Sequence, residues 1–190
     1  MRQHCLNQNS PEYPELLQTR VGADRPKEII AAGNMDLLSL SKTALFCSVS
    51  SPGSVILRTY DQAARFRDES RCIISGFHSP VEKECLRILL RGTQPIIICP
   101  ARSLPVRIPA EWQQPFSEGR ILLLSPFSKE NRTTSKLAVR RNEFVAALSD
   151  NAWFAHIAPG GQAEQLTHRF AGWNVPFSKL DNLTEAAQAT

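Results

Sequence analysis

Short apolar runs recur along this sequence, and each is followed by a stretch whose hydrophobes step by three and four. Residues 43–49 (TALFCSV), 72–75 (CIIS), 96–99 (IIIC), 121–124 (ILLL) and 152–157 (AWFAHI) are nearly continuous in hydrophobicity. A strand with one wet face alternates apolar and polar residues, whereas a strand apolar throughout is covered on both sides. The intervening segments carry helical stripes: Ile56, Tyr60, Ala63 and Phe66; Val81, Cys85, Ile88 and Leu89; Leu137, Phe144, Val145 and Leu148; Ala163, Leu166 and Phe170. Such alternation predicts an α/β fold of Rossmann-like type, a doubly wound, mainly parallel sheet with helices on both faces.

Residues 1–40 are the least regular and read as an N-terminal appendage packing on a main domain at 41–180, with a polar tail at 181–190. Within the appendage, 28–32 suits a short strand or a helical turn before Gly33-Asn34. Ser79-Pro80-Val81-Glu82 forms a capping box, with serine at the cap, proline at the first helical position and glutamate at the third. A short helix follows Pro109, and residues 175–177 suit a sixth strand. The net charge of +4 permits a polyanionic partner without requiring one. No apolar run has the length of a membrane span, and the N-terminus lacks the apolar core of a signal peptide. The five cysteines form no CxxC pair and match no zinc-site spacing. The expectation is a reduced, cytoplasmic protein with no membrane contact, structural metal or cofactor.

In doubly wound folds, ligands bind outside the carboxyl ends of the strands. The loops there read SSPGS (Ser50, Ser51, Gly53), SGFHS (Ser75, Gly76, His78, Ser79), PARS (Arg102), SPFSKENRTTS and PGGQ (Gly160, Gly161, Gln162). Their small residues and hydroxyls sit where helix N-termini offer free N–H groups, so with Arg102, Arg132, Arg140, Arg141 and Asn142 they suit a phosphate-bearing ligand. Equally, Gly, Ser and Pro are what turns and caps need. Arg141 stands out: the spacing 137, 141, 144, 148 traces one helical face, and arginine occupies a position that asks for a hydrophobe. A buried arginine needs an anion or a carboxylate. Either it lines a cleft, or it snorkels to solvent or pairs structurally with an acid such as Asp150.

The order of these motifs resembles the DprA/Smf family of DNA-processing proteins. Ser75-Gly76 with Val81-Glu82 stands at the family's SGxAxGID block, and residues 103–109 at GLDxxYP. Residues 119–125 (GRILLLS) stand at the GxLLSE segment. Arg141-Asn142 with Ala146-Ala147-Leu148-Ser149 stands at FPxRNRxIAGLS, and Gly160-Gly161 at the small SG loop. Tyr13-Pro14 and Gly33-Asn34 fall where the family has YPxxL and a GN pair. Some positions depart. The family's GSR after the first strand is Cys47-Ser48-Val49, the histidine expected after Glu82 is Leu86, and the second arginine of RNR is Glu143. The winged-helix piece that many members carry after this domain is not in the sequence.

The resemblance implies a non-enzymatic protein that binds single-stranded DNA in a basic pocket, forms a homodimer and loads a RecA-type recombinase during DNA uptake or recombination. Phosphates would then meet Arg141 and the amides near Gly76 and Gly160-Gly161, and Phe77, His78 or Phe127 would stack on bases if exposed. Two alternatives stay open. Pro159-Gly160-Gly161 is similar to the PGGxGTxxE motif of lysine-decarboxylase-like phosphoribohydrolases, which cleave nucleoside monophosphates, although its glutamate position falls on Thr167 and the only substitute in view is Glu143. A nucleotide- or phosphate-sensing domain without catalysis is the other. His4, His78, His156 and His168 are scattered, and there is no GxGxxG or serine nucleophile elbow.

Overall fold

A computed structural model describes residues 1–48 and 51–180. Its strands are β1 (His4–Asn7), β2 (Glu28–Gly33), β3 (Lys42–Phe46), β4 (Cys72–Ser75), β5 (Ile96–Ile98), β6 (Ile121–Ser125), β7 (Asn151–Phe154) and β8 (Phe177–Lys179). The helices are α1 (Glu15–Val21), α2 (Gly53–Asp68), α3 (Pro80–Leu90), α4 (Ala110–Ser117), α5 (Ser135–Leu148) and α6 (Gln162–Gly172). All eight strands join one sheet in the order β1-β2-β6-β5-β4-β3-β7-β8. Strands β3 to β8 run parallel to their neighbours, and β2 and β1 continue the sheet antiparallel beyond β6. This is the doubly wound, mainly parallel α/β fold that the apolar runs predict.

Near-continuous hydrophobicity in the strands has a direct cause here. Successive residues of a strand point to opposite faces, and both faces are dry. Ala44, Phe46, Ile74, Ile97, Leu122, Leu124 and Phe154 belong to one core, shared with Leu17 of α1, Phe144 of α5 and Phe170 of α6. Leu45, Ile73, Ile96, Ile98, Leu123 and Trp153 belong to the other, with Phe66 of α2, Leu89 of α3 and, partly buried, Phe116 of α4. Rings of Phe46 and Phe154 stack 5.2 Å apart, and Phe170 sits edge-on to both, so β3, β7 and α6 are tied together.

The first forty residues supply β1, β2 and α1. Gly33 closes β2 at φ +113°, and a Cβ there would lie 2.2 Å from the Ile121 carbonyl oxygen. Asn34 then donates to Gly119 O at 2.9 Å and accepts from the Asp36 amide at 3.0 Å. The Gly-Asn pair therefore holds β2 close against the start of β6. No helix among the described residues is long and apolar enough to cross a membrane. The expected tail at 181–190 lies outside the described residues.

Candidate functional site

From β3 the chain moves through β4, β5 and β6 on one side, then returns to place β7 and β8 on the other. The switch point is therefore between β3 and β7, where a doubly wound sheet opens a crevice. A cleft of about 300 Å³ lies there. Phe46, Cys47 and Ser48 line it from the end of β3, and His78, Ser79 and Glu82 from the start of α3. Arg141 and Asn142 come from α5, Gly161 and Gln162 from the start of α6.

Arg141 is only 3% exposed, as its place in the apolar stripe predicts. Its Nη1 donates to Cys99 O at 3.1 Å and its Nε to Asn142 Oδ1 at 2.7 Å. It forms no ion pair among the described residues. Asp150, the acid proposed for a structural pair, instead meets buried Lys42 at 3.1 Å. Burial pulls the Arg141 pKa down from its ordinary value, while the nearby Glu82 carboxylate works the other way. An arginine remains charged under such a shift, so the cleft holds a cation that no carboxylate neutralises by direct contact.

The hydrogen bonds continue outward from it. Asn142 Nδ2 donates to Gln162 Oε1 at 2.9 Å, which leaves the Gln162 amide nitrogen out of that bond. That nitrogen is buried and has no acceptor among the described residues. An amide left so costs about 1–3 kcal/mol relative to a paired one. Arg141, Asn142 and Gln162 thus end in an unused donor. Gly76 makes room for them: a Cβ at this position would lie 1.2 Å from Arg141 Nη1.

Other expected contributors have different employment. The amides of His78 and Ser79 donate to Glu82 Oε2 at 2.9 and 3.1 Å, and the Cys47 amide to Glu82 Oε1 at 3.1 Å. A carboxylate of the chain itself occupies the start of α3, where a phosphate was expected, and Ser79 Oγ accepts from Glu82 N at 3.1 Å to complete the capping box. Gly160 N is likewise held by Glu164 Oε2 at 2.8 Å, and Gly161 N by Ala158 O at 3.0 Å. Ser75 is buried and bonds to Leu45 O at 2.8 Å, while Ser51 bonds to Ser48 O at 2.9 Å. Gly53 begins α2 away from the cleft lining. Ser50 lies outside the described residues.

The arginines separate. Arg140, one residue before Arg141, leaves the cleft lining and sits 5.7 Å over the Phe127 ring. Phe127 is 2% exposed and Phe77 5%, so neither offers an open face, whereas His78 is exposed. Arg102 lines a second cleft that shares His78 with the first and carries Lys83 and Arg87 as well. Burial lowers the His78 pKa first, then Arg141 and Lys83, with Arg102 adding and Glu82 opposing. His78 is thus bathed in positive potential. Burial also raises the Cys47 thiol pKa, so this cleft cysteine is held in its unreactive protonated form. Among the described residues no group of three His, Cys, Asp or Glu could hold a metal.

The sequence marks Glu82 as a cap and as part of the SGxAxGID block, but not as a residue lining the same cleft as Arg141. The capping box was the available signal, because the reciprocal bond fixes where the carboxylate points.

The profile of the DNA recombination-mediator protein A family matches residues 4–157. The chain belongs to that family. Membership agrees with the motif order from Tyr13 through Ser149 and takes in β1 and β2, whereas Gly160-Gly161 lies beyond the matched region. Among solved structures, DNA processing protein A from Streptococcus pneumoniae superposes with a TM-score of 0.76 at 17% identity, over 94% of this chain. The chain spans 63% of that protein's length. DNA processing protein A from Helicobacter pylori gives 0.71 at 20% identity, over 100% of this chain and 90% of that one. The molybdenum cofactor binding protein of Rippkaea orientalis gives 0.52 at 9% identity, over 78% of this chain and 82% of that one. At these identities the likeness is one of fold. No curated protein matches the chain.

Proposed function

We propose that this family member is a cytoplasmic, non-enzymatic protein that binds single-stranded DNA along the carboxyl edge of its sheet, in DNA uptake or recombination. One observation carries the reading: Arg141 is buried at the switch point with no carboxylate partner among the described residues, beside the unused Gln162 donor. A phosphate oxygen answers both needs, since it is an anion and an acceptor. The Helicobacter pylori relative has a single-stranded DNA binding mode described as unique, and a fold shared with it supports the same class of ligand here. Lys83, Arg102 and Arg141 about His78 extend the positive edge beyond a single phosphate. By family resemblance, a homodimer that hands the strand to a RecA-type recombinase completes the proposal.

Binding is favoured over ribosyl hydrolysis by the position of the acids. Thr167 stands where the phosphoribohydrolase motif has glutamate, and its hydroxyl donates to Glu164 O at 2.7 Å. Glu143 pairs with Arg169 at 2.7 Å and lines a different cavity. Glu82 is held by three backbone amides and is not free to move a proton. A small phosphate ligand is the second reading, favoured by a cleft whose size is that of a small-molecule site.

The test is fluorescence anisotropy of a labelled oligo-dT at about 50 and 200 mM salt. About three phosphate contacts give a logarithmic salt slope near −2 for a single strand, so affinity falls about twentyfold between the two conditions. Absence of binding at micromolar protein, with thermal stabilisation by a mononucleotide, would replace the DNA reading with the second one.

A further inference from the structure

The cleft beyond His78 differs in kind from the arginine site. It lies between α3 and α4 and has a volume of about 380 Å³. Leu86, Leu90 and Ile98 give it an apolar floor, and the Trp112 ring forms a wall. Lys83, Arg87 and Arg102 stand on its rim, all exposed. The indole N–H of Trp112 is buried and meets no acceptor among the described residues. An aromatic wall, a cationic rim and an unused donor are together what a nucleotide recognises: a π-face for the base, cations for the phosphate, a donor for a carbonyl oxygen.

We propose that this second cleft is a further nucleotide subsite, in which a base lies against Trp112 and its phosphate meets Lys83 and Arg102. The proposal rests on the single-stranded DNA reading and extends it along the strand. His78 lines both clefts, so it is the saddle over which a strand leaving Arg141 enters the second one. A carbonyl or phosphate oxygen placed on the Trp112 N–H removes the cost of a buried, unpaired donor. Glu111 is the one carboxylate on this lining, against three cationic side chains, Lys83, Arg87 and Arg102. None of the motifs shared with the family contains Trp112. Its role is legible only when α4 is placed against α3.

The chain has three tryptophans, and the other two differ in setting: Trp153 is 2% exposed, and the Trp173 indole donates to Arg20 O at 3.0 Å. The experiment follows intrinsic fluorescence and labelled-oligonucleotide anisotropy together, using oligo-dT of about 3 and about 12 nucleotides. In the wild type, the longer oligonucleotide quenches the emission, and Trp112→Phe abolishes the quench. Trp112→Ala weakens the longer oligonucleotide about tenfold, the scale of one lost base stack, and leaves the shorter unchanged. Arg102→Ala, at an exposed position, weakens the longer one too and serves if Trp112→Ala fails to fold. The subsite is overturned if Trp112→Phe keeps the quench, or if these variants bind the longer oligonucleotide as tightly as the wild type. Loss of all binding by the wild type would instead remove the DNA reading beneath it.

Discussion

Arg141 and Gly76 form one device. A guanidinium that is 3% exposed has a fixed place, held by Cys99 O and Asn142, and that place overlaps the volume of any side chain at 76. Gly76 has no positive φ, so its backbone admits alanine and the obstacle is the arginine alone. Gly76→Ala is expected to cost about 1–3 kcal/mol by overpacking and to weaken DNA binding by displacing Arg141. In an Arg141→Ala background the same substitution costs close to nothing. A double-mutant cycle followed by chemical denaturation reads this coupling, and additive effects would show that the two residues do not share the space. The arginine was legible in the sequence because helical periodicity demanded a hydrophobe at 141. Its partners were not, since a backbone carbonyl from β5 carries no sequence signature and the nearest acid in sequence, Asp150, serves Lys42.

At the level of elements, α3 shows how a local signal came to have a long reach. The Ser79 capping box was plain from four residues, and it formed as expected. What four residues could not show is that Glu82 also takes the Cys47 amide from the end of β3, 35 positions away. One carboxylate thereby ties together two strand-end loops and occupies the amides that otherwise resemble a phosphate site. Glu82→Gln keeps the size but turns one acceptor oxygen into a donor, leaving at least one of these amides facing an N–H. Each lost bond to a charged acceptor is worth about 1.5–3 kcal/mol, so a drop of that order in unfolding free energy is expected from urea titration. An unchanged midpoint would mean that the amides find other acceptors. The apolar strands were located within three residues at either end because both of their faces are buried. β1 was missed: only Leu6 of its residues is buried, and its pairing lies with β2 on a sheet edge that local pattern does not specify.

Across the whole molecule, the two clefts gather at one end of the sheet. The pair of buried Lys42 and half-buried Asp150 lies at the amino end of β3, whereas both clefts lie at the carboxyl ends of the strands, meeting at His78. Two clefts with Arg141 in one and Lys83, Arg87 and Arg102 around the other make a continuous edge, long enough in character for a polymer. The sequence supplied the edge through the fold rule and six residues of the first cleft through loop composition and the Arg-Asn block: His78, Ser79, Arg141, Asn142, Gly161 and Gln162. It could not separate Arg141, which lines the first cleft, from Arg140, which lies over Phe127, because that depends on Phe127 lying against the helix.

The claim that matters most is that Arg141 is buried for its ligand and not for the fold. Replacing it with methionine removes a charge whose burial is unfavourable, together with its bonds to Cys99 O and Asn142 Oδ1, so the effects on stability oppose. The decisive measurement is the affinity of Arg141→Met for labelled oligo-dT at about 50 mM salt, beside its melting temperature. The expected result is a loss of affinity of at least about tenfold, with a melting temperature within a few degrees of the wild type. A folded Arg141→Met protein that binds the strand as tightly as the wild type would contradict it.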